Sequence, residues 1–273
     1  MTYQPVVPIS GLTGWRFLQR TLETQSDAFA KSASIVRDTD YFREKIGEVD
    51  TAEDLVSDRR LLRVALGAFG LQDDINNRYL IQKVLEDGTL KDDTLANRLG
   101  DDRYRAMSAA FGFGDFPIPS TKISDFGDRM VAKFRRQQFE VAIGDQDNSM
   151  RLALNAQREL EVLAAGTSSE DTKWLRIMGT PPLREVFETG LAMPASFGQI
   201  DIDRQLELFK DRMEKLTGDN SIAQFLDPDA RDQLVQRYLL QNEVRQFQSA
   251  SVGSVALSLL QGASDFSRSL SNR

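Results

Sequence analysis

The stretch Val56-Ser57-Asp58-Arg59-Arg60-Leu61-Leu62-Arg63-Val64 holds an apolar residue, then helix-starting residues, then an apolar residue eight positions after the first. The chain says this phrase three more times. The copies are Leu99-Gly100-Asp101-Asp102-Arg103-Tyr104-Arg105-Ala106-Met107, Met178-Gly179-Thr180-Pro181-Pro182-Leu183-Arg184-Glu185-Val186 and Leu226-Asp227-Pro228-Asp229-Ala230-Arg231-Asp232-Gln233-Leu234. Thr180-Pro181 and Asp227-Pro228 join an N-cap residue to a proline at the first helical position, where a missing N–H costs nothing. Recurrence on this scale points to repeated helical units. Behind Ser57 or Asp58, the residues Leu61, Leu62, Ala65, Leu66 and Phe69 share one helical face, and Gly70 provides a stop. Ala110-Phe111-Gly112 echoes Ala68-Phe69-Gly70.

Working outward, each phrase carries a preceding helix marked by an apolar pair at i, i+4: Phe42 with Ile46, Leu80 with Val84, Phe209 with Met213. For the third phrase, Thr167 to Glu170 fits a capping box opening the short helix of Trp174. Pro117 and Pro119, between Gly112 and Thr121, mark a break between two halves. Two longer helices follow, near Ile123 to Ile143 and Ser149 to Ala165, joined at Asp145 to Asn148. Only Val6 to Ile9 hints at a strand. The expected fold is mostly α. It has repeated helix pairs in two halves, 1–120 and 121–248, and amphipathic helical N- and C-terminal segments, the latter over 249–273.

The two ends carry a different pattern. Trp15, Leu18, Leu22, Gln25 and Phe29 are spaced 3, 4, 3, 4, and Val252, Ala256, Leu259, Ala263, Phe266 and Leu270 are spaced 4, 3, 4, 3, 4. Both are narrow heptad seams that pack against another helix. Trp15, Leu18, Leu22, Phe29, Val252, Leu259, Phe266 and Leu270 are therefore the candidate partner-binding residues. The alternative is that both ends close the core of the body, since most helical stability comes from tertiary packing.

Composition narrows the chemistry. The 273 residues are 41% hydrophobic and 27% charged, with a formal net charge of −7. No basic surplus exists to displace counterions from nucleic acid. The chain has no cysteine and no histidine, which excludes thiolate chemistry and removes the commonest general base and metal ligand. Carboxylate or lysine chemistry stays open. No run reaches the roughly 20 apolar residues of a membrane span, and Met1 to Ser10 shows no secretory signal. The expected location is cytoplasmic.

The remaining motifs fall short of sites. Asp145-Gln146-Asp147-Asn148-Ser149 starts like a calcium loop, but Met150 stands where glycine is needed and Ala156 where a bidentate glutamate is needed. An interhelical turn, with Asn148 or Ser149 as cap, fits better. Asp73-Asp74, Asp92-Asp93 and Asp101-Asp102 are adjacent pairs that do not face each other on a helix. Gly112-Phe113-Gly114 lacks the rest of a phosphate loop. Lys133, Arg135 and Arg136 read as a solvated helix face. Trp174, before the corner at Met178 to Arg184, is either an aromatic recognition anchor or a core residue under a tight turn. No catalytic, cofactor-binding or metal-binding residue is assigned, and no cofactor is expected.

Six stretches carry a resemblance: Gly14 to Thr21, Tyr41 to Ile46, Ser57 to Asp74, Leu95 to Tyr104, Met150 to Asn155 and Met178 to Val186. They resemble a family of alphaproteobacterial proteins of unassigned biochemistry that is associated with flagellar gene clusters. The resemblance implies a flagellum-associated, non-enzymatic protein whose partners are other proteins, including flagellar components, and transfers no catalytic residue. It also admits export without a cleaved signal. Seams at both ends resemble the layout of axial flagellar proteins, whereas the helical body departs from it. The leading expectation is a structural or assembly protein. The alternatives are a helical adaptor or export chaperone, or an enzyme that brings acids such as Asp58 and Asp101 together.

Overall fold

The computed structural model describes residues 3–194 and 196–248. In chain order the helices are α1 (Gly11–Ala30), α2 (Ala33–Lys45), α3 (Ala52–Ser57), α4 (Arg59–Ala68), α5 (Arg78–Asp87), α6 (Leu95–Arg98), α7 (Asp102–Phe111), α8 (Phe126–Gly144), α9 (Asn148–Ala165), α10 (Glu170–Gly179), α11 (Pro181–Gly190) and α12 (Ile202–Thr217). A further helix, α13, covers 228–248. Among the described residues there is no strand. The chain is mostly α, as its pattern predicts. The residues Val252, Ala256, Leu259, Ala263, Phe266 and Leu270 lie outside the described residues.

Each of the four phrases opens a helix, at Arg59, Asp102, Pro181 and position 228. Three of the four starts share their local chemistry. Asp58 accepts from the Arg60 amide at 2.8 Å, Asp101 from the Arg103 amide at 2.9 Å, and Asp227 from the Asp229 amide at 2.9 Å. Each satisfies an N–H that the helix itself leaves unpaired. In the two proline phrases an arginine six residues on folds back to a carbonyl of the preceding turn. Arg184 donates to the Met178 carbonyl at 3.3 Å and Arg231 to the Phe225 carbonyl at 2.5 Å. Gly70 and Gly112, which close the first two, both have positive φ (70° and 69°), where a Cβ would be strained.

Two expected caps shift by one or two residues. Asp147, rather than Asn148 or Ser149, caps α9, accepting from the Ser149 amide at 2.9 Å and the Met150 amide at 3.3 Å. Ser169, rather than Thr167, caps α10 through the Thr172 amide at 3.3 Å. In both places several oxygen-bearing side chains stand side by side, and only the backbone geometry selects one.

The chain forms two compact units. The first comprises Met1–Asn155 with Leu175–Arg184. Its centre is α4, which packs most extensively on α8 and then on α2. Leu61, Leu62, Val64, Ala65, Leu66 and Ala68 of α4 are all buried. Gly67 permits the approach, because a Cβ there would lie 2.7 Å from the Phe134 ring of α8. The division differs from the expected break at 120/121, since α8 completes the core that α4 begins. The stretch Val6 to Ile9 forms no strand. Instead the Gln25 side chain accepts from the Val6 amide at 2.6 Å and donates to the Val6 carbonyl at 3.2 Å, while Gln146 donates to the Pro5 carbonyl at 2.5 Å.

The second unit comprises Ala156–Trp174 with Glu185–Arg273. Its described core is an aromatic cluster. Trp174 stacks on Phe209 at 5.9 Å and meets Phe187 edge-on at 5.5 Å, and Phe225 and Phe197 extend the group. Leu234, Val235, Tyr238 and Leu239 give α13 its buried face.

Candidate functional site

Trp15, Leu18 and Phe29 are buried in the first unit, and Leu22 is half-buried. Phe29 meets Phe139 of α8 edge-on at 5.8 Å. Trp15, Leu18 and Phe29 thus help close the chain's own core. Trp174 is likewise a core residue. Its indole N–H donates to the Asn220 carbonyl at 2.9 Å.

The acids proposed for an enzyme do not converge. Asp58 sits at the start of α4. Arg103, which pairs with Asp101 at 2.8 Å, donates to the Gly70 carbonyl just past the other end of that helix. The ten residues of α4 put about 15 Å between those ends. Both acids also have structural employment. Burial works against the charge on Asp58. The Tyr41 hydroxyl at 2.5 Å, the Leu61 and Arg60 amides and the Arg60 guanidinium outweigh it and hold the carboxyl below its ordinary range. For Asp101, burial is outweighed in the same way by Arg103. Asp74 accepts from Tyr104 at 2.7 Å and from Asn77 at 2.8 Å. Among the described residues no group of three or more acids could hold a metal ion. Of the basic trio, Lys133 lies over the Phe69 ring at 4.9 Å and Arg135 donates to the buried Thr39 at 3.2 Å.

The Tyr104–Asp74 bond has a consequence for pH. Burial first, and then the carboxylate, pushes the Tyr104 hydroxyl up to about 12 from its ordinary 10.0. The folded state therefore favours the neutral phenol. The stability this adds is complete below pH 10 and is lost as pH rises through about 12. Tyr104→Phe should flatten that limb of the stability curve by on the order of 1–2 kcal/mol. Denaturant melts near pH 8 and pH 11.5 measure it. Parallel losses in both proteins would show that the bond contributes nothing.

The surface feature of greatest interest is a loop that the proline pattern marks only as a break. After α7, Gly112 turns the chain, with the Phe116 amide returning to the Gly112 carbonyl at 3.0 Å. Asp115 then clamps the loop to the one after α5. Its carboxylate accepts from the Thr89 amide at 2.5 Å, the Thr89 hydroxyl at 2.8 Å and the Leu90 amide at 3.1 Å. Gly114 and Gly88 make this possible, since a Cβ on Gly114 would lie 2.4 Å from the Gly88 nitrogen. At the far end Thr121 is buried and donates to the Val49 carbonyl at 2.7 Å. Lys122 donates to the Gly47 carbonyl at 2.9 Å and pairs with Asp50 at 2.6 Å.

Between these anchors runs Phe116-Pro117-Ile118-Pro119. Phe116, Ile118 and the nearby Ile123 are between 51% and 71% exposed. With the two prolines they line an open hollow of about 480 Å³. Pinned ends and fixed proline φ angles leave little ordering entropy to lose on contact. The crest is thus apolar, exposed and pre-ordered, with Ser120 and Lys122 also lining the hollow.

Fold and surface together define a helical protein with an exposed apolar crest. Residues 68–230 match a family described as protein of unknown function (DUF1217), and the chain belongs to that family. It is similar to protein AGR_C_984 from Agrobacterium tumefaciens, an alphaproteobacterium, whose structure was determined by X-ray crystallography. The TM-score is 0.70 at 27% sequence identity, over 89% of this chain and 99% of that one. Comparison with curated proteins gives no match. Among the described residues no helix is long and apolar enough to cross a membrane.

Proposed function

We propose that the protein is a non-enzymatic structural or assembly protein that works by binding other proteins, and that its setting is the bacterial flagellum. The observation that carries the binding role is the braced crest Phe116-Pro117-Ile118-Pro119, held at Asp115 and Thr121–Lys122 with its apolar side chains in solvent. The flagellar setting rests on the family resemblance of the stretches from Gly14 to Val186.

Swimming in soft agar tests both parts. A strain lacking the protein should lose motility, and Ile118→Asp should lose it as well. Purified Ile118→Asp should keep its stability to within about 0.5 kcal/mol, because Ile118 is a surface residue. A deletion strain that swims normally removes the flagellar setting. An Ile118→Asp strain that swims while the deletion does not removes the crest as the docking surface.

A further inference from the structure

The second compact unit carries an exposed apolar face of its own. Leu191, Leu208 and Leu216 line an open hollow of about 390 Å³. Its charged lining is three cations, Arg212, Lys215 and Arg237, against one acid, Asp211. From Arg237 the surface runs on along α13. Arg237, Leu240, Val244 and Phe247 are spaced three, four, three, which puts them on one stripe of the helix. The three apolar members of the stripe are between 46% and 79% exposed. An amphipathic helix at a protein surface keeps its outer face polar, so an apolar row beside an apolar hollow marks a surface built to be covered.

The crest in the first unit has the opposite rim. Four ion pairs lie on the segments that brace and follow it, 43–50 and 122–129. They are Arg43–Asp128, Lys45–Glu48, Lys122–Asp50 and Arg129–Asp125. In each of the four the carboxylate is the more exposed partner. A molecule approaching Phe116, Ile118 and Ile123 therefore meets carboxylates before cations.

We propose that the crest of one copy docks on the hollow and row of a second copy. This rests on the crest as a docking surface and names its partner. Like faces repel. Hollow against hollow would set three cations against three, and crest against crest would oppose two sets of carboxylates. Crest against hollow pairs carboxylates with cations and apolar surface with apolar surface. Ile118, the most exposed apolar side chain of the crest, enters the hollow. The contact joins unlike faces, so each copy added keeps one face open, and assembly continues into a ring or a filament.

Sedimentation velocity of the purified full chain tests this. The wild type should sediment faster as concentration rises, and high salt should weaken the effect, because the rim charges are exposed. Ile118→Lys spoils the crest and Leu216→Lys spoils the hollow. Each alone should raise the concentration needed for assembly by at least about tenfold, the size of an interface hot spot. Both side chains are exposed, so the variants should melt like the wild type. Mixed in equal amounts, the two variants should form a dimer that grows no further, since each supplies the face the other lacks. A wild type that stays monomeric up to its solubility limit overturns the proposal and leaves the crest to a different protein. Assembly that is indifferent to salt, that survives either substitution, or that the mixture fails to restore also overturns it. The crest's role in the cell is read separately, from the swimming of the Ile118→Asp strain.

Discussion

Replacing Trp174 with alanine should cost about 3–5 kcal/mol, the range for removing a buried tryptophan. Three separate losses add up. The indole is fully buried, so its apolar area and the cavity it leaves both count. Its ring contacts with Phe209 and Phe187 go, each worth about 0.5–1.5 kcal/mol beyond area. The Asn220 carbonyl also loses its donor, which costs about 1 kcal/mol or more where water does not reach. Denaturant melts followed by far-UV circular dichroism measure the total. A loss under about 1 kcal/mol would show that the aromatic cluster repacks around the gap and does not depend on the indole. Trp174→Phe should recover part of the loss, since it restores a ring but no donor.

Helix starts were the most legible part of this chain because capping is local. An aspartate or threonine before a proline or an arginine-rich turn needs nothing from elsewhere, and all four phrases begin helices where their sequence says. The cap at Asp147 was less legible, because Asn148 and Ser149 offer the same chemistry one and two residues away. Long-range pairing was hidden altogether. Nothing near Pro117 says that Asp115 reaches Thr89 or that Lys122 reaches Asp50, so a braced crest reads as a break. One signal was present. Phe116 and Ile118 alternate with prolines, and apolar side chains have no reason to recur in a simple linker.

The heptad seams show the limit most plainly. A spacing of three and four says that a helix packs on another helix, and it is silent on whose helix that is. At the N-terminal end the neighbour is α8 of the same unit. The exposed Leu240, Val244 and Phe247 of α13 pose the same question in reverse.

Trp15→Ala should separate the two readings of the N-terminal seam by size of effect. A seam reserved for a partner would lose about 0.5 kcal/mol or less when truncated in the free protein. A core tryptophan should lose about 3–5 kcal/mol, and Trp15 is fully buried. Its neighbour Gly14 has no room for even a methyl group, as a Cβ there would lie 1.7 Å from the Ile9 carbonyl oxygen. Loosening α1 should therefore also free the Pro5 to Ile9 segment from Gln25 and Gln146. The chain has two tryptophans, one in each compact unit. In Trp15→Ala the remaining indole reports the second unit, while circular dichroism reports the helices of both. If the first unit depends on the seam, helix content should fall at lower denaturant than in the wild type. The fluorescence of Trp174 then shows whether the second unit unfolds with the first or survives it. An unshifted circular dichroism midpoint would return Trp15 to the list of candidate partner-binding residues.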